Sequence, residues 1–198
     1  MSKPLSEITP GSLIWFNTTL SGSDKSTPFI VLGPSKQNNS ILLLQKYLYT
    51  PTRKVHNTNV SEYSTSDIDK YLSADSTESD SYRSKLSEAV RNCLVKTSIG
   101  SYSYSSKTTL NLARDIFLMS CTEAGFTGYE SYNEGNSYLD ALKTASGTTD
   151  DKTARIATTE SGSSYSWWLR SPLNASCVRC VYSNGDSNNN SATNSYCV

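Results

Sequence analysis

The 198-residue sequence has no excess of either charge. It contains 18 basic and 18 acidic residues, so the formal net charge at pH 7 is zero. No cluster of Lys and Arg follows a helix face or a loop, although a protein that binds nucleic acid needs such a patch to neutralise phosphates. We therefore expect no nucleic-acid partner.

Long apolar runs are also missing. No run approaches the roughly 20 apolar residues that span a bilayer, and the N-terminal MSKPLSEITPG has no apolar signal-peptide core. These absences predict no membrane insertion, and synthesis as a soluble protein in a cytoplasm, which the family resemblance described below implies is a bacterial one. A chain of this length fits a single domain, here 1–198, that buries about two thirds or more of its surface.

Metal-binding side chains are scarce. His56 is the only histidine, and we interpret it as an ordinary loop residue. The five cysteines are an odd number in a chain without an export signal, which disfavours a disulfide framework: Cys93, Cys121, Cys177, Cys180 and Cys197. The first two are expected to be small buried apolar residues. Cys177 and Cys180 form a C-x-x-C pair, but structural zinc needs four ligands. No EF-hand spacing is present either, so we expect no metal and no cofactor.

The first third of the chain predicts strands. Leu13–Phe16 and Pro28–Leu32 are short apolar runs separated by a polar segment, which is typical of a hairpin with a longer loop. Ile41–Leu44 gives a third strand after a turn-rich segment.

Helical periodicity begins near residue 64. Ser64 stands three residues before Asp67, an approximate capping box ahead of apolar residues at helical spacing. A second helix is predicted over 82–93, where one apolar stripe is formed by Tyr82, Leu86, Ala89, Val90 and Cys93. Further along, Tyr138, Leu139 and Leu142 indicate a short third helix.

The middle of the chain predicts a loop and a strand. Residues 100–109, GSYSYSSKTT, are low in complexity and read as an exposed loop. Ile116–Met119 then reads as a strand, and Ser120 or Thr122 could cap a turn through Glu123 to Phe126. The predicted fold class is α+β, with short antiparallel strands, two main helices and much irregular chain.

Several blocks together resemble a known family. They are NVSEYSTSDIDKYL, DIFLMSCTEAGF, ARIATT at 154–159, SWWLRSP at 166–172, and the pattern of Val178, Val181 and Gly185. Over residues 10–198 the chain is similar to phage and prophage proteins that carry a WWLRSP signature. The resemblance implies a C-type-lectin-like fold of the subtype found in formylglycine-generating enzymes.

The same fold is used by the variable proteins of diversity-generating retroelements, which bind receptors or other ligands. In those systems asparagine codons ending in a pyrimidine mutate, and such codons cannot become codons for Lys, Glu, Gln, Met or Trp. Those five types make up 26 of residues 1–172 and none of residues 173–198, where proportion would give about four. The segment instead holds six Asn, five Ser, three Cys and two Tyr, and Tyr, Ser and Asn are the residue types that antibody loops use for contact.

We therefore expect the C-terminal segment 173–198 to be a displayed, changeable surface anchored by the apolar block before it. The candidate scaffold residues are Trp167, Trp168, Arg170, Val178, Val181 and Gly185. The candidate ligand-binding residues are Leu173, Asn174, Ser176, Cys177, Arg179, Cys180, Tyr182, Asn184, Asp186, Ser187, Asn188, Asn189, Asn190, Asn194 and Tyr196. A strand from Cys177 to Tyr182 would place Val178, Cys180 and Tyr182 on one face, with a bulge or strand end nearby. Arg170 is expected to stack on an aromatic ring or to pair with a buried carboxylate.

The resemblance implies a host-surface protein or glycan as partner, a tail position in a phage virion, and a homotrimer. Two alternatives remain open: a structural particle subunit that buries 173–198 on assembly, and an oxidase that uses paired cysteines like the formylglycine-generating enzymes. We expect no enzyme, because no acid or base partner and no cofactor loop accompany the cysteines. Relatives have Gly where this chain has Cys197 and continue past Val198, which leaves the closing strand of a lectin-like sheet open to question.

Overall fold

The computed structural model describes residues 7–20, 24–35, 40–49, 52–73 and 81–198. The described part is a mixed α+β structure of short antiparallel strands, few helices and much irregular chain. None of its helices is long and apolar enough to cross a membrane. The coarse fold class predicted from the sequence is thereby confirmed.

The N-terminal strands form an antiparallel meander. Strands β1 (Leu13–Thr18), β2 (Lys25–Pro34) and β3 (Ile41–Gln45) pair in chain order. β2 is the central strand and is almost entirely buried, as expected for a continuous apolar run with neighbours on both edges. All three strands were predicted.

The first predicted helix is confirmed as α1 (Asp67–Ser73). Its cap is Ser66, however, because the Asp69 amide donates to the Ser66 hydroxyl at 3.0 Å. The neighbouring His56 is buried, with Nε2 3.3 Å from the Glu62 carbonyl oxygen. Both helix-side carboxylates have partners: Asp67 accepts from the Asn57 amide, and Asp69 pairs with a guanidinium.

The prediction of a continuous helix over 82–93 is wrong. The segment contains a 3₁₀ turn at Arg83–Lys85 and a one-turn helix α2 (Glu88–Asn92). The chain between them is extended because it pairs with the end of β1: the Thr19 amide donates to the Lys85 carbonyl at 2.7 Å. This tertiary pairing outweighs the helical period, and Cys93 is consequently exposed rather than buried.

The predicted loop at 100–109 is also wrong. These residues belong to a hairpin of β5 (Thr97–Ser103) and β6 (Thr108–Arg114), paired in one uninterrupted register. Its buried face alternates at every second residue, but Ser and Thr supply most of that face: Thr97, Ile99, Ser101 and Ser103. An alternation without apolar residues escapes a search for apolar periodicity.

The prediction of a strand at Ile116–Met119 is wrong in the described structure, where the chain there belongs to no sheet. Leu118 and Met119 are buried. The Met119 carbonyl accepts a hydrogen bond from the Arg170 backbone amide at 2.9 Å. The turn that follows is capped by Ser120, as one of the two predicted alternatives. Ser120 and Glu123 bond each other's amides in a reciprocal capping box.

The C-terminal half carries two helices and the second main sheet. Helices α3 (Leu139–Ser146) and α4 (Asp151–Ala154) precede it, and α3 confirms the predicted short helix. The sheet has the order β7 (Trp167–Pro172), β8 (Cys177–Val181) and β9 (Ser187–Ser191). The last strand, β10 (Ser195–Tyr196), leaves this sheet and pairs with β4 (Arg53–Lys54).

The β7–β8–β9 sheet lies between two apolar clusters. Trp168, Val178 and Cys180 belong to the cluster that also contains α1 residues. Trp167, Leu169 and Val181 belong to the cluster that contains α3 residues and β2. Because consecutive strand residues point to opposite faces, the apolar run at β7 and β8 supplies both clusters.

Arg170 is held in β7 by a fully buried ion pair. Its guanidinium donates to both carboxylate oxygens of Glu123, at 2.5 and 2.9 Å, and to the backbone oxygens of Gly100 and Leu118. Glu134 lies beside this pair and accepts from the Ser171 hydroxyl and the Tyr102 amide. Burial raises the pKa of Glu134. Both predicted roles for Arg170 are found: it pairs with a buried carboxylate, and its Cζ lies over the Phe117 ring, 5.7 Å from the centroid.

Candidate functional site

The predicted surface begins with a tight turn between β7 and β8. Oδ1 of Asn174 accepts from the Ser176 and Cys177 amides at 2.9 and 2.8 Å, and the Asn174 carbonyl accepts from the Ser61 hydroxyl. The Leu173 amide closes the turn on the Cys177 carbonyl. An Asx turn of this kind shapes the backbone, so Asn174 acts here as a turn residue, with its amide oxygen occupied.

The second turn connects β8 to β9. The Gly185 amide donates to the Tyr182 carbonyl at 2.8 Å, and Gly185 has a φ of +85°, a region that favours glycine. A Cβ added there would lie 1.9 Å from the carbonyl oxygen of Lys152. The Lys152 side chain reaches the same turn, where its Nζ lies 2.8 Å from a carboxylate oxygen of Asp186. Helix α4 therefore contacts the turn of the hairpin.

The register of β8 and β9 divides the predicted contact residues between two faces. Arg179 pairs with Asn189 and Val181 with Ser187, while Cys180 pairs with Asn188. Side chains of directly paired residues lie on the same face of a sheet. One face therefore carries Cys177, Arg179, Ser187 and Asn189, and the other carries Cys180, Tyr182, Asn188 and Asn190.

The face with Cys180 is occupied by the protein itself. Cys180 is fully buried in the cluster beside Trp168, so its place among the contact residues is a correction: a buried thiol does not present itself to a ligand. Next to it, the side-chain amide of Asn190 donates to the Tyr196 hydroxyl at 2.5 Å, and the centroid of the Tyr196 ring lies 4.7 Å from that of Trp168. Asn194 adds a bond to Asn190. These polar side chains close the hairpin against β10.

The opposite face of the hairpin carries polar side-chain atoms that have no hydrogen-bond partner among the described residues. Among the described residues, the Arg179 Nε and the Ser187 Oγ are buried atoms without a hydrogen-bond partner. Cζ of Arg179 lies 5.1 Å from the centroid of the Tyr129 ring. That ring meets Tyr132 edge-on at 5.9 Å, and Tyr132 stacks on Tyr102 at 4.1 Å. The tyrosines form an aromatic wall beside the hairpin.

The sequence reasoning missed this wall. Tyr129 and Tyr132 lie on a loop about 50 residues before Arg179, and Tyr102 belongs to the hairpin that was read as a loop. The concentration of tyrosine in the polar stretch 127–138 was the one signal available, because half-exposed tyrosine is a frequent contact residue.

The cysteines are all free thiols, and all five lie within the described residues. Burial raises the pKa of Cys180 and of Cys121 to about 12, and it also raises the pKa of Cys197. A raised pKa favours the neutral thiol, which is a poor nucleophile and metal ligand. Within the same residues, no group of three or more His, Cys, Asp or Glu side chains could hold a metal ion. The adjacent acids Asp150 and Asp151 have structural partners, since Asp150 caps α4 and Asp151 pairs with Lys143.

A separate apolar cavity of about 700 Å³ lies between the N-terminal meander and β7. Leu44, Trp167 and Phe117 contribute to its walls. Its lining also includes Ser35 and Ser40, which flank the range 36–39 outside the described residues, and we assign it no ligand.

A comparison with protein families finds one match, a domain of unknown function designated DUF6273, over residues 38–198. The chain belongs to the DUF6273 family. The match contains the whole of the β7–β10 region and the tyrosine loop, so the candidate surface is part of the family's domain. No curated protein and no solved structure matches the chain.

Proposed function

We propose that this DUF6273 protein is a ligand-binding protein whose contact surface is the β8–β9 hairpin with its two turns. The proposed biological setting is attachment to a host cell surface by a phage or prophage protein. On this proposal residues 173–198, which contain the hairpin, are the variable region of a diversity-generating retroelement, and the rest of the chain is a C-type-lectin-like scaffold.

The observation that carries the proposal is the division of the C-terminal segment into fixed and accessible positions. Buried positions recur along it at Val178, Cys180, Val181, Gly185, Ala192 and Cys197. Between them, the accessible positions are mainly Asn, Ser, Arg and Tyr. A flexible tail needs no such recurrence, whereas a displayed surface needs an anchored backbone with replaceable side chains between the anchors.

The proposed C-type-lectin-like arrangement draws support from the way the chain end returns to the sheet. The Cys197 amide donates to the Ser166 carbonyl, and the Trp168 amide donates to the Cys197 carbonyl, each at 3.2 Å. The Tyr49 amide donates to the Val198 carbonyl at 2.9 Å. These bonds attach the last residues to β7 and to the chain before β4. The two ends of the segment that contains the hairpin are therefore both fixed to the rest of the protein.

Binding of the fluorescently labelled full chain to a panel of bacterial cells tests the proposal. Asn184→Tyr with Asn189→Tyr changes two accessible hairpin positions, and Asn111→Tyr is the matched control on exposed β6. We expect the hairpin variant to lose or redirect cell binding while its melting temperature stays close to that of the parent. Cell binding that is equal for parent, control and hairpin variant would contradict a role for the hairpin.

The retroelement part has a test of its own. We expect the DNA near the gene to contain a near-identical repeat of the 173–198 coding segment and a reverse-transcriptase gene. An intact locus without the repeat would remove the diversification claim and leave the binding surface standing.

A further inference from the structure

Arg179 differs from three arginines of the described residues that are paired with carboxylates. Arg83, Arg114 and Arg170 each form an ion pair with a carboxylate. The Arg179 side chain forms no ion pair or hydrogen bond with any described residue, and its Nε, like that of Arg83, is buried without a partner. A guanidinium offers five donors in a planar fork that fits a carboxylate, so this one has unused capacity for an anionic group.

Among the described residues no carboxylate forms an ion pair with Arg179, and the acids around it have other partners. Glu130, beside Tyr129, accepts from the Gly128 amide. Glu134 is the buried acid close to the tyrosine wall, and both of its oxygens are taken: Oε1 accepts from the Tyr102 amide and Oε2 from the Ser171 hydroxyl. Asp186, at the turn of the hairpin, pairs with Lys152 and accepts from the Asn184 amide. The Arg179 guanidinium therefore keeps donors that none of these carboxylates uses.

The surroundings of Arg179 combine flat rings with small polar groups. Tyr129 and Tyr132 stand on one side and are half-buried, which leaves part of each ring open. Ser187 and Asn189 lie on the same face of β9, and the Ser187 Oγ is buried without a hydrogen-bond partner among the described residues. Aromatic faces pack against C–H surfaces, while hydroxyl and amide groups bond hydroxyls.

The edge of β9 argues against an extended peptide as the occupant. Oδ1 of Asn188 accepts from the Asn189 amide at 2.7 Å, and Oδ1 of Asn190 accepts from the Ser191 amide at 2.9 Å. Side chains of the strand itself thus occupy the amides that an added strand would need. A compact ligand with a carboxylate, hydroxyls and a C–H face fits the open side chains better.

We propose that Arg179, with Tyr129, Tyr132, Ser187 and Asn189, forms a subsite for a carboxylated sugar, such as a uronic or sialic acid residue of a surface glycan. The carboxylate binds the Arg179 guanidinium, the ring packs on the tyrosine wall, and sugar hydroxyls bond Ser187 and Asn189. This subsite rests on the proposed function of the hairpin and specifies the ligand class.

The test uses the full chain and two acidic probes, each with a neutral partner. Galacturonate oligomers are compared with their methyl esters, and sialyllactose is compared with lactose, by calorimetry and by the NMR signal of the Arg179 Nε–H. Arg179→Gln removes the charge, and Arg179→Lys keeps the charge without the fork. Lys107→Gln is the matched control. Lys107 also lies over a tyrosine ring, that of Tyr104, but it belongs to the β5–β6 turn and not to the β8–β9 hairpin.

We expect the parent to bind at least one acidic probe tenfold or more tightly than its neutral partner, since hydrogen bonds to charged groups are the strong ones. Arg179→Gln should abolish that preference, Arg179→Lys should retain a fraction of it, and Lys107→Gln should leave it unchanged. No preference in the parent for either acidic probe, or an unchanged preference in Arg179→Gln, overturns the subsite. Polyglutamate binding as tightly as the sugars would make the site a peptide site and would also overturn it.

The cell-binding assay separates this subsite from the function on which it rests. If the Asn184→Tyr and Asn189→Tyr variant loses cell binding while Arg179→Gln keeps it, the hairpin is a binding surface and the acidic-sugar subsite is wrong. If neither variant changes cell binding, the hairpin itself is not the contact surface.

Discussion

Replacing Arg170 by Met tests whether the buried ion pair fixes the base of the hairpin. The Arg170 side chain is fully buried and the Glu123 side chain is 6% exposed. Met fills much of the space of the arginine stem but leaves Glu123 buried without its partner, and it also frees the carbonyls of Gly100 and Leu118. Removing one partner of a buried pair costs about 3–5 kcal/mol of unfolding free energy.

That loss is measurable in two ways. Urea denaturation should show a lower midpoint with an unchanged slope. Thermal unfolding of a chain of this size shifts by about 2–4 °C per kcal/mol, so the melting temperature should fall by about 6–20 °C. The double variant Arg170→Met with Glu123→Leu should recover part of the loss, because the uncompensated charge is removed as well.

Lys25→Met is the matched control, since its ion pair with Glu160 has both side chains well exposed, at 47% and 37%. An exposed pair contributes about 1 kcal/mol or less. The reasoning fails if Arg170→Met costs no more than this control, or if the double variant is as unstable as the two single losses added together.

Three further predictions concern the backbone, the buried acid and the strand edge. Gly185→Ala should lower the unfolding free energy by about 2 kcal/mol or more, because φ is +85° and the new Cβ would meet the Lys152 carbonyl; an unchanged urea midpoint would contradict this. Burial raises the pKa of Glu134, so its contribution to stability is complete below the ordinary pKa of glutamate and is lost as the pH rises through the raised value. The difference in unfolding free energy between the parent and Glu134→Gln should therefore fall across that window, and a flat difference would refute the assignment. Replacing Asn188 and Asn190 by Val should increase self-association in sedimentation velocity, because the outward amides of β9 lose their side-chain partners; a variant that remains as monodisperse as the parent would argue against that role.

The sequence was informative wherever apolar residues marked the buried faces. The runs that became β1, β2 and β3 are apolar, and Trp167 to Pro172 is buried along its whole length. Val178, Val181 and Gly185, which we predicted as scaffold, are all buried, as a recurring Val in a strand and a Gly in a tight turn would suggest.

The failures share a different cause, which is that long-range pairing decided the local structure. Leu86 was assigned to a helix by its spacing, but it is extended because β1 pairs with the neighbouring chain. β5 was missed since its buried face is made of Ser and Thr. Cys180 was grouped with the surface residues because its type resembled theirs, while the register of β8 turns its side chain into the core beside Trp168.

The nature of the candidate site could not be read from the chain order. Arg179 meets Tyr129 only because the loop after Gly128 folds back beside β8, and a separation of 50 residues carries no local signal. Of the bulge or strand end expected within Cys177 to Tyr182, the strand end is found, because β8 ends at Val181. The register shift lies instead in β7, between Trp168 and Pro172.

The two asparagines that protect the edge of β9 have an evolutionary consequence. Asn188 and Asn190 are among the positions that we expect to vary, yet their side chains also accept from the Asn189 and Ser191 amides, which we expect to keep the strand from pairing with another copy of the protein. Exchanging them for Ser or Asp would retain a side-chain acceptor, whereas exchanging them for Val, Ile or Phe would not. A population of such variants would thus be filtered first by solubility and only afterwards by what it binds, so colloidal behaviour limits the accessible repertoire before any target is encountered.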